Sequence, residues 1–314
     1  MNIDLSVNRI ADAARTIDPV FSNTPQYGDR QLDAALDRHV IVKVETANPV
    51  RSFKGRGADV FMGHVDRGKT VVCSSTGNFG QAMAYAGQRR GISVEVFVPE
   101  NVNPLKLARM QALGARVTLE GADSAASEAA ARDYVAGRDG CVYVDDGRET
   151  AIAEGAGTIG LELIQAGPFD AVVVPVGDGA LITGVACWFK HHAPDTRIIG
   201  VCASGAPCMA LSWRAGKPVS TEGSDTIAEG IDVRVPVPES VARLVTLVDD
   251  MVLVDDSDLV EAMRLSARTL GILLEPSAAA GLAAIQVHDL PGERLATVLT
   301  GSNLRPEQFR ALTA

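Results

Sequence analysis

Lys54 stands directly after Phe53 and before Gly55 in the stretch RSFKGRGADVFM. A lysine set between an aromatic ring and the start of a helical pattern is expected to be half desolvated, which lowers its pKa. Its neutral amine could then form a Schiff base or remove a proton. The bland alternative is a solvated helix lysine. A second reactive stretch is SSTGNFGQAMAYAG, residues 74–87, where a strand runs into a helix through Ser74, Ser75, Thr76, Gly77 and Asn78. Such a loop can hold a carboxylate with hydroxyls and backbone N–H groups, although on its own it reads more simply as a Ser/Thr/Asn helix cap. A third is VVVPVGDGALITG, in which an apolar strand enters Gly177, Asp178 and Gly179 and a helix begins at about Ala180. Backbone N–H groups there can converge on an anion, aided by the helix dipole. An ordinary strand-to-helix turn fits equally well, and Asp178 would have to point away from a phosphate. His39, His64, His191, His192 and His288 all lie outside these junctions, which leaves a Ser-His-Asp triad or a histidine zinc site without support.

A fourth motif is a decoy. Residues 63–70, GHVDRGKT, satisfy the P-loop expression, and CVYVDD resembles an acidic magnesium strand. A P-loop must leave a strand and open a helix, whereas residues 54–66 read as helix and TVVCSST as strand, so the order is reversed.

The elements that must position these residues follow from hydrophobic pattern. Strands are expected at HVIVKVET, TVVCSST, SVEVFVP, RVTLEG, CVYVDD, AVVVPVG, RIIGVCAS and RLATVLTG. They alternate with Ala-rich helices at 78–90 and 123–137 and a long helix over about 150–166, the signature of βα units around parallel sheets. That many strands imply two sheets, with the chain entering and leaving a smaller inserted domain near 66–69 and 145–149. The N-terminus, MNIDLSVNRIADAARTID, reads as an acidic amphipathic helix rather than a signal peptide.

Composition narrows the partners. The 314 residues are 46% hydrophobic and 4% aromatic, enough for a large aliphatic core. A net charge of −10 disfavours nucleic acid and anionic membranes and points to a small-molecule partner. The five cysteines, Cys73, Cys141, Cys187, Cys202 and Cys208, lack CxxC spacing and read as reduced residues of a cytoplasmic protein. No apolar run reaches membrane-spanning length.

Taken in order, the stretches resemble the fold-type-II pyridoxal-phosphate enzymes, above all the threonine/serine ammonia-lyases (dehydratases) and serine racemase. RSFKGRGA is similar to that family's SFKxRGA, SSTGNFGQAMAYA to SSGNHAQG, VPVGDGALITGVA to VPVGGGGLxxG, TIAEGIDVR to TIADGxAV, LLEPSAAAGLAA to EPSGAxxLAA and LTGSN to the LSGGN-like end motif. ETAIAEGAGTIGLEL completes the series, which spans nearly the whole chain. The resemblance implies an α/β fold of two open, twisted, mostly parallel sheets, the tryptophan synthase beta-like fold. It divides the chain into a large cofactor-binding domain (1–67 and 148–314) and a small mobile domain (68–147).

The resemblance also assigns roles. Lys54 carries pyridoxal 5'-phosphate and acts as base, with Phe53 beside the ring and Gly55 keeping the adjacent turn open. Asn78 bonds the ring hydroxyl, and Gly177, Asp178, Gly179, Ala180 and Leu181 form the phosphate cup. Ser302 faces the pyridine nitrogen, and Gly230 and Glu275 line the cofactor. Ser75, Thr76, Gly77, Asn78 and Phe79 receive the substrate. Thr76 matches the hydroxyl that returns a proton in racemases, but its β-branching restricts its approach to Cα, so elimination is expected to outrun racemisation. The implied reaction is loss of water and ammonia from a β-hydroxy L-amino acid such as threonine or serine, in a cytoplasmic homodimer. β-Replacement or threonine-synthase-like chemistry stays open within the family, and a P-loop nucleotide-binding protein outside it. Three departures stand out: Phe79 replaces a histidine, GDGAL replaces GGGGL, and Cys202 occupies a position where some members have a metal-binding glutamate, so no metal is expected.

Overall fold

The computed structural model describes residues 3–102, 104–122 and 124–313. Met1 and Asn2 of the expected N-terminal helix, and Asp123 at the head of the expected 123–137 helix, lie outside the described residues. Those two helices span Val7–Thr16 and Ser124–Val135.

The described residues form ten strands: β1 (Gln26–Gly28), β2 (His39–Val44), β3 (Thr70–Ser74), β4 (Ser93–Val98), β5 (Arg116–Leu119), β6 (Cys141–Tyr143), β7 (Ala171–Pro175), β8 (Arg197–Ala203), β9 (Asp250–Val254) and β10 (Arg294–Leu299). They make two sheets, one ordered β1-β2-β10-β7-β8-β9 and the other β5-β4-β3-β6. All pairings are parallel except β1 with β2. Helices cover both faces, which is why the strands are near-continuous β-branched runs instead of alternating ones. On β2, Val40, Val42 and Val44 enter the core that holds Leu259 and Ala279, while Ile41 joins the core on the opposite face. The expected strands are all present. β1 and β9 are additional: β1 is a three-residue edge strand without apolar pattern, and β9 is an apolar run hidden between acidic pairs.

Three helices set the site. Lys54–Gly63 leads from the lysine, Thr150–Leu163 is the long central helix, and Ala180–His192 follows the glycine turn after β7. The first two touch backbone to backbone: a Cβ on Gly155 would lie 2.7 Å from Gly57 Cα, and one on Gly57 would lie 2.6 Å from the Ile152 carbonyl oxygen. A fully buried guanidinium locks this contact. Arg56 donates to Glu45 and Glu162 at 2.8 Å and to Thr158 at 2.9 Å, tying the lysine helix to the end of β2 and to the long helix. GHVDRGKT runs from the end of Lys54–Gly63 into β3, the helix-to-strand order that excludes a phosphate loop. No helix among the described residues is long and apolar enough to cross a membrane.

Candidate active site

A cavity of about 780 Å³ opens where the carboxyl ends of β3, β6, β7 and β10 face one another, the usual ligand position in open α/β sheets. Ser74, Val144, Pro175 and Thr300, at or just beyond those strand ends, line it. Lys54 is the first residue of its helix, and its side chain is 15% exposed on the cavity wall. Its Nζ lies 5.0 Å from the Phe53 ring centroid and 5.9 Å from that of Phe79. The surroundings are not simply apolar, because the ammonium also forms an ion pair with Oδ2 of Asp146. The Asp146 side chain is 7% exposed and its second oxygen, Oδ1, is buried with no hydrogen-bond partner. In the sequence Asp146 reads only as part of the decoy acidic strand. The available signal was its place just past the carboxyl end of a parallel strand.

Ser75, Thr76 and Gly77 form the turn between β3 and the helix Asn78–Arg90, and all three line the cavity with Asn78 and Phe79. The helix-cap reading fails here, since no side chain caps this helix. Instead the Gly77 N–H donates to Ser75 Oγ at 3.2 Å, and no side chain takes up the first helical N–H groups. Asn78 donates through Nδ2 to Glu275 Oε1 at 2.5 Å and accepts from Asn303 Nδ2 at 2.6 Å. Burial pushes the Glu275 carboxyl up to about 7, against the hydrogen bonds from Asn78 and the Asn303 N–H that favour its ionised form.

Across the cavity, Gly177 to Leu181 make the turn from β7 into Ala180–His192. Gly179 adopts φ +91°, and a Cβ there would lie 2.2 Å from Ser240 Oγ, so the turn requires glycine. No side chain caps the helix that follows, so its first N–H groups have no side-chain acceptor at the cavity wall. Gly230 lies behind Gly177, its N–H donating to Ser277 Oγ at 2.8 Å. The sequence requires Asp178 to turn away from a phosphate or to interact with a neighbouring cation, and Lys54 is such a cation. Asp178 is half-buried on the cavity wall, and burial, followed by the Asp146 carboxylate, pushes it up to about 6 while Lys54 pulls it down.

Two assignments change. Ser302 does not face this cavity; it lines a separate surface depression with Arg51, Leu273 and Phe309. The chain turns after β10, where Gly301 bridges to Ser52 and the Ser302 N–H donates to the Arg51 carbonyl at 3.0 Å. Strand alternation therefore does not carry past Leu299, and the residue of this turn that lines the cavity is Thr300, at the serine position of LSGGN. Gly55 does not leave an open turn either: a Cβ on it would lie 2.2 Å from the Phe21 ring, so its hydrogen makes room for core packing.

Comparison with known proteins supplies the context. The family model for pyridoxal-phosphate dependent enzymes matches residues 17–301. An L-threonine ammonia-lyase of Thermotoga maritima is 32% identical over 96% of this chain and 76% of its own length. A biosynthetic L-threonine dehydratase of Pasteurella multocida is 29% identical, and the match spans 57% of that protein. Among solved structures, processed threonine deaminase isoform 2 from Solanum lycopersicum superposes with a TM-score of 0.90 at 29% identity, covering 100% of this chain and 90% of that one. Maize serine racemase gives 0.91 at 28% identity, covering 98% and 96%.

The residues present fit the cofactor that this family uses. The uncapped glycine turn at Gly177–Leu181 suits a phosphate, Lys54 reaches the same cavity, and Asn78, Glu275 and Thr300 supply polar groups at its far side. Fold, cavity and matched span agree, and the chain belongs to the family of pyridoxal-phosphate-dependent enzymes.

Proposed function

We propose that the chain is an ammonia-lyase that converts a β-hydroxy L-amino acid, serine or threonine, into a 2-oxo acid and ammonia. The observation that carries this reading is the placement of Lys54 Nζ, held by Asp146, in one cavity with the uncapped turn at Gly177–Leu181 and the uncapped loop at Ser75–Gly77. The threonine ammonia-lyase, dehydratase and deaminase relatives support it.

Pyridoxal phosphate, when bound, draws electrons from the Cα of the amino acid it holds and makes the Cα proton acidic. The chain's own residues do the rest. Backbone N–H groups of Gly177 to Leu181 hold the phosphate, and the Ser75–Gly77 loop holds the substrate carboxylate. Lys54 Nζ removes the Cα proton as general base. The β-hydroxyl leaves, and the released enamine hydrolyses to the 2-oxo acid and ammonia. Thr300, which lines the cavity, would offer the bound ring a hydroxyl and not a carboxylate, and a hydroxyl would leave the ring nitrogen unprotonated, which would favour prompt elimination over longer-lived routes. Thr76 carries the hydroxyl on the loop side, and racemisation is expected to be slight.

The same reading makes residues 68–147 a small domain that moves over the site. It is supported by the confinement of β3–β6 to this segment and by cross-contacts of Lys106 with Glu229 and of Arg109 with Asn303. A cytoplasmic homodimer belongs to the proposal as well, and sedimentation tests the dimer. For the activity, purified protein should show a visible absorbance band and form 2-oxo acid and ammonia from L-serine or L-threonine. Lys54→Ala should lose the band and the activity together. A band that survives Lys54→Ala refutes the lysine assignment, and diversion of product into a thioether or thiol on adding sulfide indicates β-replacement instead.

A further inference from the structure

Asp178 is an anomaly in a turn built for a phosphate. Its carbonyl accepts from Ser240 Oγ, and the residue lines the cavity while its side chain is only half-buried. Among the described residues no group hydrogen-bonds its carboxyl. It packs beside the segment that carries Asp146: a Cβ on Gly147 would lie 3.2 Å from Asp178 Cβ and 3.1 Å from its carbonyl oxygen. Asp146 in turn holds Lys54 with one oxygen and keeps the other buried and unpartnered. Lys54, Asp146 and Asp178 thus line the same cavity, with the backbone next to Asp146 packed on Asp178. The other charged groups nearby, Asp145 and Glu128, are both engaged by Arg132.

We propose that Lys54, Asp146 and Asp178 form a proton relay in which the proton taken from Cα leaves with the β-hydroxyl. The inference rests on the lyase reading. Lys54 Nζ accepts the Cα proton, and the Cα–H electron pair becomes the Cα–Cβ π bond as the Cβ–O bond breaks. The departing oxygen keeps the Cβ–O pair and takes the Asp178 proton, leaving as water. The ammonium on Lys54 passes its proton to Asp146, and Asp146 passes it to Asp178, so the chain returns to its starting state with no net proton gained or lost. Burial and the neighbouring carboxylate raise Asp178 toward neutrality, the range in which an acid gives up and regains a proton with a small free-energy difference.

The test varies the leaving group. Chloride departs from β-chloro-L-alanine without a proton, whereas hydroxide from L-serine needs one. Asp178→Asn and Asp178→Gly are compared as holoenzyme, with the visible cofactor band and equilibrium dialysis reporting how much cofactor each variant holds. The ratio of kcat for L-serine to kcat for β-chloro-L-alanine should fall by about 100-fold in both variants, as expected for loss of a general acid. An unchanged ratio overturns the relay, whether both substrates slow together or neither does. Loss of cofactor from both variants overturns it too, because Asp178 would then act as part of the cup. A wild-type enzyme that forms no 2-oxo acid from either substrate defeats the lyase reading instead.

Discussion

At the scale of single residues, the sequence showed the lysine but not its partner. Lys54, Asn78, Gly177 and Gly179 draw their expected roles from the resemblance, since each stretch alone reads as well or better as a solvated lysine, a helix cap or an ordinary strand-to-helix turn. Asp146 was not legible, because an acidic residue after a strand has many ordinary uses and only the sheet order β5-β4-β3-β6 brings the end of β6 beside Lys54. Ser302 was misplaced for a related reason: the bridge at Gly301 bends the chain out of strand register. Asp178 gives a stability test independent of turnover. Its pKa is raised from 3.8 to about 6 in the fold, with Asp146, Lys54, Asp145 and Glu128 as the charged groups it feels. Folding therefore favours the protonated form. This contribution is fully present below about pH 4 and is lost as the pH rises through about 6. In cofactor-free protein the stability of wild type relative to Asp178→Asn should thus fall by about 1–3 kcal/mol between those limits. Urea midpoints measured across the range should show this slope, and a difference that stays flat with pH means that Asp178 is not perturbed as described.

At the scale of elements, the glycines of the two motifs do more than shape turns. GRGA and EGAG bring Lys54–Gly63 and Thr150–Leu163 into backbone contact, and Arg56 fills the adjoining polar gap, so the lysine leaves its helix at a fixed angle to the cavity. Helical periodicity predicted both helices but not which faces meet, since a glycine-rich face carries no hydrophobic signal of its own. Gly155→Ala tests the contact. The new Cβ would meet backbone at 2.7 Å, where no side-chain rotation relieves it. The helix-propensity gain of about 1 kcal/mol from replacing glycine should be outweighed by overpacking, typically 1–3 kcal/mol. A lowered denaturation midpoint with an unchanged m-value is expected, and a raised midpoint would show that the two helices can part.

At the scale of the whole molecule, the cavity lies between the two sheets, and its charge sets the substrate class. Asp145, Asp146 and Asp178 line it together with the Phe79 ring. Of its cations, Lys54, Lys106, Arg132 and Arg148 each already face a carboxylate, which leaves Arg234 at the exposed rim. A substrate with a neutral β-hydroxyl adds no charge to this wall. One bearing a second carboxylate must place it near acidic groups or an aromatic face, and like-charge contact of that kind costs several kcal/mol. Threonine and serine should therefore exceed 3-hydroxyaspartate in kcat/KM by roughly 100-fold. Phenylserine should fall between them, because a single apolar contact discriminates by only about 1–3 kcal/mol. The measurement is kcat/KM for the four amino acids, with 2-oxo acid as readout. A clear preference for 3-hydroxyaspartate, removed by Arg234→Ala, would show that the rim arginine rather than the acidic wall governs selection.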